Sequence, residues 1–181
     1  MKKLIYIFIV VSLLLCVATL LCIKKIHLVY AYDYPYVHTQ VLTKPVEEYH
    51  VETFNIETVE DLIDESVVQA GVNLRFSEKN DIENGKANCV GYAEYAANIF
   101  NDIAKQKGFS ERAIPVVGYY YLGNINMHKL VSRFISEKRT LNFIKDHNYV
   151  RVINTSGEVV NSFDPSVWDL TLLSFQEKKI K

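Results

Sequence analysis

The sequence predicts an α+β domain carried behind a single N-terminal membrane anchor. Three observations lead there. Leu4 to Ile23 is an uncharged run of 20 residues, bounded by Lys2-Lys3 on one side and Lys24-Lys25 on the other. Behind it, stretches with the apolar spacing of helices come first and β-branched, aromatic stretches follow, an order that fits α+β architecture better than alternating βαβ units. Without the apolar run about 155 residues remain, enough for one domain with one core. The expected organisation is an anchor over residues 1–25, a tyrosine-rich stalk over 26–45 and a globular domain over 46–181.

At a rise of about 1.5 Å per residue, the uncharged run matches the roughly 30 Å hydrocarbon layer of a bilayer. A secretory signal has a shorter apolar core and small residues at its cleavage site. Val29-Tyr30-Ala31 resembles such a site, and Cys22 follows Thr19-Leu20-Leu21, where a lipidation signal would want a small residue in place of Leu21. An uncleaved anchor is preferred to either, with the domain on the extracytoplasmic side. The four tyrosines between Tyr30 and Tyr36 suit the headgroup layer, where an apolar ring and a polar tip are both satisfied.

In the domain, Thr58-Val-Glu-Asp61 is a helix start. That helix is expected to run to about Ala70 with Val59, Leu62, Ile63, Val67 and Val68 on one face, and to close at Gly71. A polar loop, Ser77 to Lys86, separates it from the strongest helix of the chain, in which Ala93, Ala96, Ala97, Phe100, Ile103 and Ala104 share a face. Asn88 is its expected N-cap and Gly108 its stop. Ile114 to Tyr121 reads as a strand. Asn126 to Lys145 reads as helical, in one or two pieces. Asn148 to Ile153 and Glu158 to Phe163 flank Asn154-Thr-Ser-Gly157 as a hairpin.

Charge excludes one class of partner. With 20 basic and 21 acidic side chains, a net charge of −1, the chain offers no basic footprint for nucleic acid. Of its three cysteines, Cys16 and Cys22 lie in the apolar run and Cys89 stands alone in the domain. A lone cysteine forms neither an internal disulfide nor a thiolate zinc cluster. The five histidines are scattered, and neither a metal site nor a cofactor is expected.

Cys89 falls in the first turn of the strong helix, where the helix N-terminus stabilises a thiolate and free backbone N–H groups could hold an oxyanion. His147 opens a strand and Asp164 ends the next one. If the hairpin closes with an even loop, Ile153 faces Glu158 and the same register sets His147 opposite Asp164, within reach of an imidazole–carboxylate hydrogen bond. A bulge or an odd loop would shift that pairing. A nucleophilic thiol needs a base, and the base needs an acceptor that fixes its tautomer. Cys89, His147 and Asp164 meet those requirements. His128 is the competing base, and Lys86 is either a source of positive potential near Cys89 or a solvated side chain.

These residues resemble the transglutaminase-like superfamily, the circularly related cousins of papain, over roughly Gly85 to Trp168. G-K-A-N-C-V-G-Y-A (Gly85 to Ala93) looks like the nucleophile helix and A-I-P-V-V-G-Y (Ala113 to Tyr119) like the strand after it. H-N-Y-V-R-V (His147 to Val152) is similar to the segment of the family's histidine, and F-D-P-S (Phe163 to Ser166) to its aspartate element. Tyr149 stands where the family commonly has Trp, and the stretch between Gly123 and His147 is longer than in compact members. The resemblance implies a central helix packed on an antiparallel sheet, with Cys89 as nucleophile, His147 as general base and acid, and Asp164 as orienter. The implied function is a cysteine peptidase or amide hydrolase acting on a peptide or protein amide. Protein-crosslinking acyl transfer and a non-catalytic binding domain are the alternatives.

Overall fold

The computed structural model describes residues 19, 21–33, 55–134, 136, 145–173, 175 and 177. Thr58 starts the first helix, α1 (Val59–Asn73), through a reciprocal capping box. Its hydroxyl accepts from Asp61 N at 3.1 Å, while the Asp61 carboxylate accepts from Thr58 N at 2.8 Å. The helix does not stop at Gly71. That residue lies inside it because a Cβ there would come within 2.9 Å of Asp169 Oδ1, so glycine admits the close approach of a later helix. Leu62, Ile63, Val67 and Ala70 are buried, but Val68, expected on that face, is exposed.

Two two-residue strands, β2 (Arg75–Phe76) and β3 (Lys86–Ala87), pair in parallel across the polar loop, which holds a 3₁₀ turn over Ile82–Asn84. The strong helix follows as α2 (Cys89–Lys107). Asn88 caps it, its side chain accepting from Val90 N and Gly91 N, and Gly108 ends it in the left-handed conformation. Glycine at 91 lets the loop sit on the first turn, since a Cβ there would lie 2.6 Å from Asn80 Oδ1. That same Asn80 oxygen takes the Asn88 N–H at 2.8 Å.

The sheet is antiparallel, in the order β1 (Ile26–Asp33), β4 (Arg112–Leu122), β6 (His147–Ile153), β7 (Val159–Phe163), with the short β5 (Ile125–Asn126) on the end of β4. Strand β1 is a correction to the expected stalk. Ile26 to Asp33 pairs along β4 from Leu122 to Val116, so the sheet draws an edge strand from the tyrosine-rich segment. Tyr30 lies partly buried with Arg151 stacked on its ring at 3.5 Å rather than serving an interfacial belt. Tyr34, Tyr36 and the remainder of the stalk lie outside the described residues.

The expected span over 4–23 also lies outside them, except for Thr19 and Leu21–Ile23, which are helical. Among the described residues, no helix is long and apolar enough to cross a membrane. Of the helix expected over 126–145, α3 (Met127–Val131) and Lys145 are helical, Ser132 to Phe134 form a turn, and most of the rest lies outside the described residues.

One core lies between the sheet and the first two helices. Ala93, Ala96, Ala97, Phe100 and Ile103 of α2 meet Leu62 and Val67 of α1 on one side and Ala113, Val150, Val152 and Phe163 on the other. Asn101 pins α2 to β4, donating to Ala113 O at 2.9 Å and accepting from Ala113 N at 2.8 Å. A second cluster, Leu28, Val116, Tyr120, Tyr149 and Val167, covers the far face of the sheet, where α4 (Pro165–Thr171) begins. The helix–sheet packing thus aims the N-terminus of α2 at the start of β6.

Candidate active site

Three elements deliver the three expected side chains to one place. Cys89 is the first residue of α2, His147 the first of β6, and Asp164 the cap between β7 and α4. His147 and Asp164 are fully buried, and Cys89 is partly exposed. His147 Nε2 lies 2.6 Å from Asp164 Oδ2. Cys89 lies beside His147 and the backbone N–H of Asn148, close enough for both to act on its thiol. With Nε2 committed to the carboxylate, Nδ1 is the ring nitrogen left for the thiol.

The pair forms, but not by the expected register. Val150 faces Phe163, whereas the even loop would have set Val150 opposite Asn161. The turn is longer, with Asn154 Oδ1 accepting from Ser156 N and Glu158 N, and β7 carries a bulge where Val152 faces Asn161 but Ile153 faces Val159. Strand β7 therefore ends opposite Val150, and Asp164 reaches His147 from the start of α4. This early departure of β7 opens the flank of β6 where the thiol meets Asn148 N–H.

Asp164 is held by four donors. Oδ2 takes His147 and the Tyr120 hydroxyl, and Oδ1 takes Ser166 Oγ at 2.9 Å and Val167 N at 3.1 Å. Burial pushes its carboxyl up, but the charge of His147 and these hydrogen bonds outweigh it and hold the group below the usual carboxylate range. Burial lowers His147, and Asp164 more than reverses that, so the imidazole is raised to about 10. For Cys89, burial pushes the thiol up, while the hydrogen bond and charge of His147 and the Asn148 N–H bring it below its ordinary value. Tyr120, buried against the carboxylate, is pushed far up and stays a donor. Both shifts favour a thiolate–imidazolium pair backed by the Asp164 carboxylate, two groups that would titrate together.

Of the other expected candidates, neither His128 nor Lys86 is among the groups acting on the thiol. His128 lies in α3, and Lys86 is exposed on β3. Among the described residues, no group of His, Cys, Asp and Glu could hold a metal ion. Sequence reasoning missed Tyr120, whose tie to Asp164 spans 44 positions and shows only in the folded sheet. Ser166 was more legible, since Asp-Pro-Ser is a helix start with Pro at the first position, which brings a hydroxyl beside the capping carboxylate. No family model, curated protein or solved structure matches the chain.

Proposed function

We propose that the protein is a thiol-dependent amide hydrolase with a transglutaminase-like core, tethered to a membrane through residues 4–23 with its domain on the extracytoplasmic side. The observation that carries the chemistry is the chain of contacts from Cys89 through His147 to Asp164, with the thiol lowered and the imidazole raised. The core is supported by the placement of Cys89 at the start of a helix packed on an antiparallel sheet, with His147 and Asp164 on neighbouring elements.

The Cys89 thiolate attacks the carbonyl carbon of a peptide or protein amide, forming an S–C bond and moving the C=O electron pair onto oxygen. As that pair returns, the C–N bond breaks and His147 gives its proton to the departing amine, leaving a thioester on Cys89. Now neutral, His147 takes a proton from water, whose oxygen bonds to the thioester carbon. The C–S bond then breaks with its electron pair returning to sulfur, which releases the acid and restores the Cys89 thiolate beside protonated His147. Water in place of a second amine follows the family resemblance; the same side chains would serve an amine. Turnover is expected to rise with pH as the thiolate forms and to fall above about 10, where His147 loses the proton it must deliver.

An activated ester tests the reading without knowledge of the natural substrate. Exposed to p-nitrophenyl acetate, the full-length protein is expected to acquire an acetyl group on Cys89, mapped by peptide mass, and to lose it on standing. Acetylation confined to other residues, or absent, would contradict the proposal.

A further inference from the structure

A tetrahedral intermediate needs donors aimed at its oxyanion, and the first turn of α2 has one to spare. The Asn88 side chain takes the N–H groups of Val90 and Gly91, and its carbonyl takes Tyr92 N. The Cys89 N–H has no such use among the described residues, and it lies beside the attacking sulfur. One N–H at a helix start is common and proves little. A second observation stands next to it.

Asn148 is 5% exposed, and among the described residues its Nδ2 is a buried side-chain donor without a hydrogen-bond partner. Buried amides without partners are rare in folded proteins, and those that persist call for a reason such as a ligand. The direction of the side chain follows from strand alternation. Asn148, Val150 and Val152 share one face of β6, and Val150 and Val152 pack against Ala93, Ala96 and Phe100 of α2. One strand position earlier in that row, Asn148 comes to the beginning of α2, and its own backbone N–H is among the groups that lower the Cys89 thiol. An amide nitrogen with hydrogens to give therefore faces the helix start from the sheet.

We infer that Asn148 Nδ2 and the Cys89 N–H together form the oxyanion site, which takes the carbonyl oxygen of an amide or ester acyl group. The inference rests on the amide-hydrolase reading. It gives the buried amide a partner only when substrate is attacked, so the cost of burying it unpaired in the free protein becomes stabilisation of the transition state.

The test separates chemistry that makes an oxyanion from chemistry that does not. Acylation of full-length protein by p-nitrophenyl acetate passes through a tetrahedral oxyanion, whereas alkylation by iodoacetamide displaces iodide at a saturated carbon and makes none. Asn148→Ala and the shape-preserving Asn148→Leu are expected to slow the acylation burst by about 100-fold, while alkylation of Cys89 changes by less than about twofold. Asn148→Leu is also expected to keep or raise the melting temperature, because it removes an unsatisfied donor without leaving a hole.

Two results would overturn the role of Asn148 alone: a burst as fast in the variants as in the wild type, or acylation and alkylation slowed by the same factor. A wild-type protein with neither a burst nor a lowered thiol pKa would overturn the hydrolase reading itself and the oxyanion site with it.

Discussion

The two faces of the sheet are built from different materials. Under α1 and α2, Ala113, Val150, Val152 and Phe163 meet alanines, Ile103 and Phe100, and the Phe100 and Phe163 rings stack at 6.4 Å. On the other face, Tyr120 lies against His147 at 5.0 Å and reaches Asp164, while Tyr149 and Arg151 both bond Glu177 at 2.6 Å. The first face is held by burial of apolar surface, which is tolerant of detail and rewards size. The second adds to its own apolar cluster buried polar groups that depend on one another, so losing one group strands another. A side-chain substitution within the first face should therefore cost stability alone, whereas one on the second should alter the reactivity of Cys89 as well.

The largest effect that would break this division comes from the edge strand. Deleting residues 1–33 strips β1 from β4 and removes Leu28 from among Val116, Tyr120 and Tyr149. A domain of this size has only about 5–15 kcal/mol to lose, and thermal unfolding of this deletion is expected to show no cooperative transition. Deletion of residues 1–24, which leaves β1 whole, is expected to keep one. A cooperative domain without β1 would mean that the polar face does not need its cover.

Phe100→Ala comes next, with an expected loss of about 3–5 kcal/mol in denaturant unfolding and an unchanged thiol titration. A shift in the titration would show that the apolar face also tunes the site. Tyr120→Phe keeps the ring against His147 and removes one donor from Asp164. The expected stability loss is smaller, about 1.5–3 kcal/mol, for a buried hydrogen bond to a charged group. Acylation is expected to slow about tenfold, the equivalent of about 1.4 kcal/mol in the barrier. Equal rates in Tyr120→Phe and wild type would remove Tyr120 from the positioning of the carboxylate.

The same division explains what the sequence disclosed. Helical spacing marked Ala93 to Ala104, and cap chemistry marked Thr58 and Asn88, because those signals are local and burial of one face is their direct cause. Cys89, His147 and Asp164 were legible as types at the ends of elements. Their register was not. The Asn154 side chain closes a longer turn than the four loop residues suggested, and the bulge falls between Val159 and Asn161, where the like pair Val159-Val160 gives no sign of which residue is extra. Strand β1 was hidden for a related reason. In Ile-His-Leu-Val-Tyr-Ala-Tyr-Asp, His27 and Leu28 are both buried and the pairing slips between Tyr30 and Tyr32, so clean alternation is missing. Tyr120 takes its meaning from a partner, and Asn148 from neighbours, that only the packed sheet supplies.

The most direct test of the central claim is the pH dependence of Cys89 alkylation by iodoacetamide in the full-length protein, with peptide mass separating Cys89 from Cys16 and Cys22. A lowered thiol pKa means that the thiolate is already present below the ordinary midpoint near about 8.5 and is lost only as pH falls through the lower value. In the wild type the midpoint is expected below that value. In His147→Ala the cation and its hydrogen bond are gone while burial of the thiol remains, so the midpoint is expected to move up, to the ordinary value or beyond. An ordinary midpoint in the wild type, unchanged in a folded His147→Ala protein, would contradict the thiolate–imidazolium pair and with it the proposed chemistry.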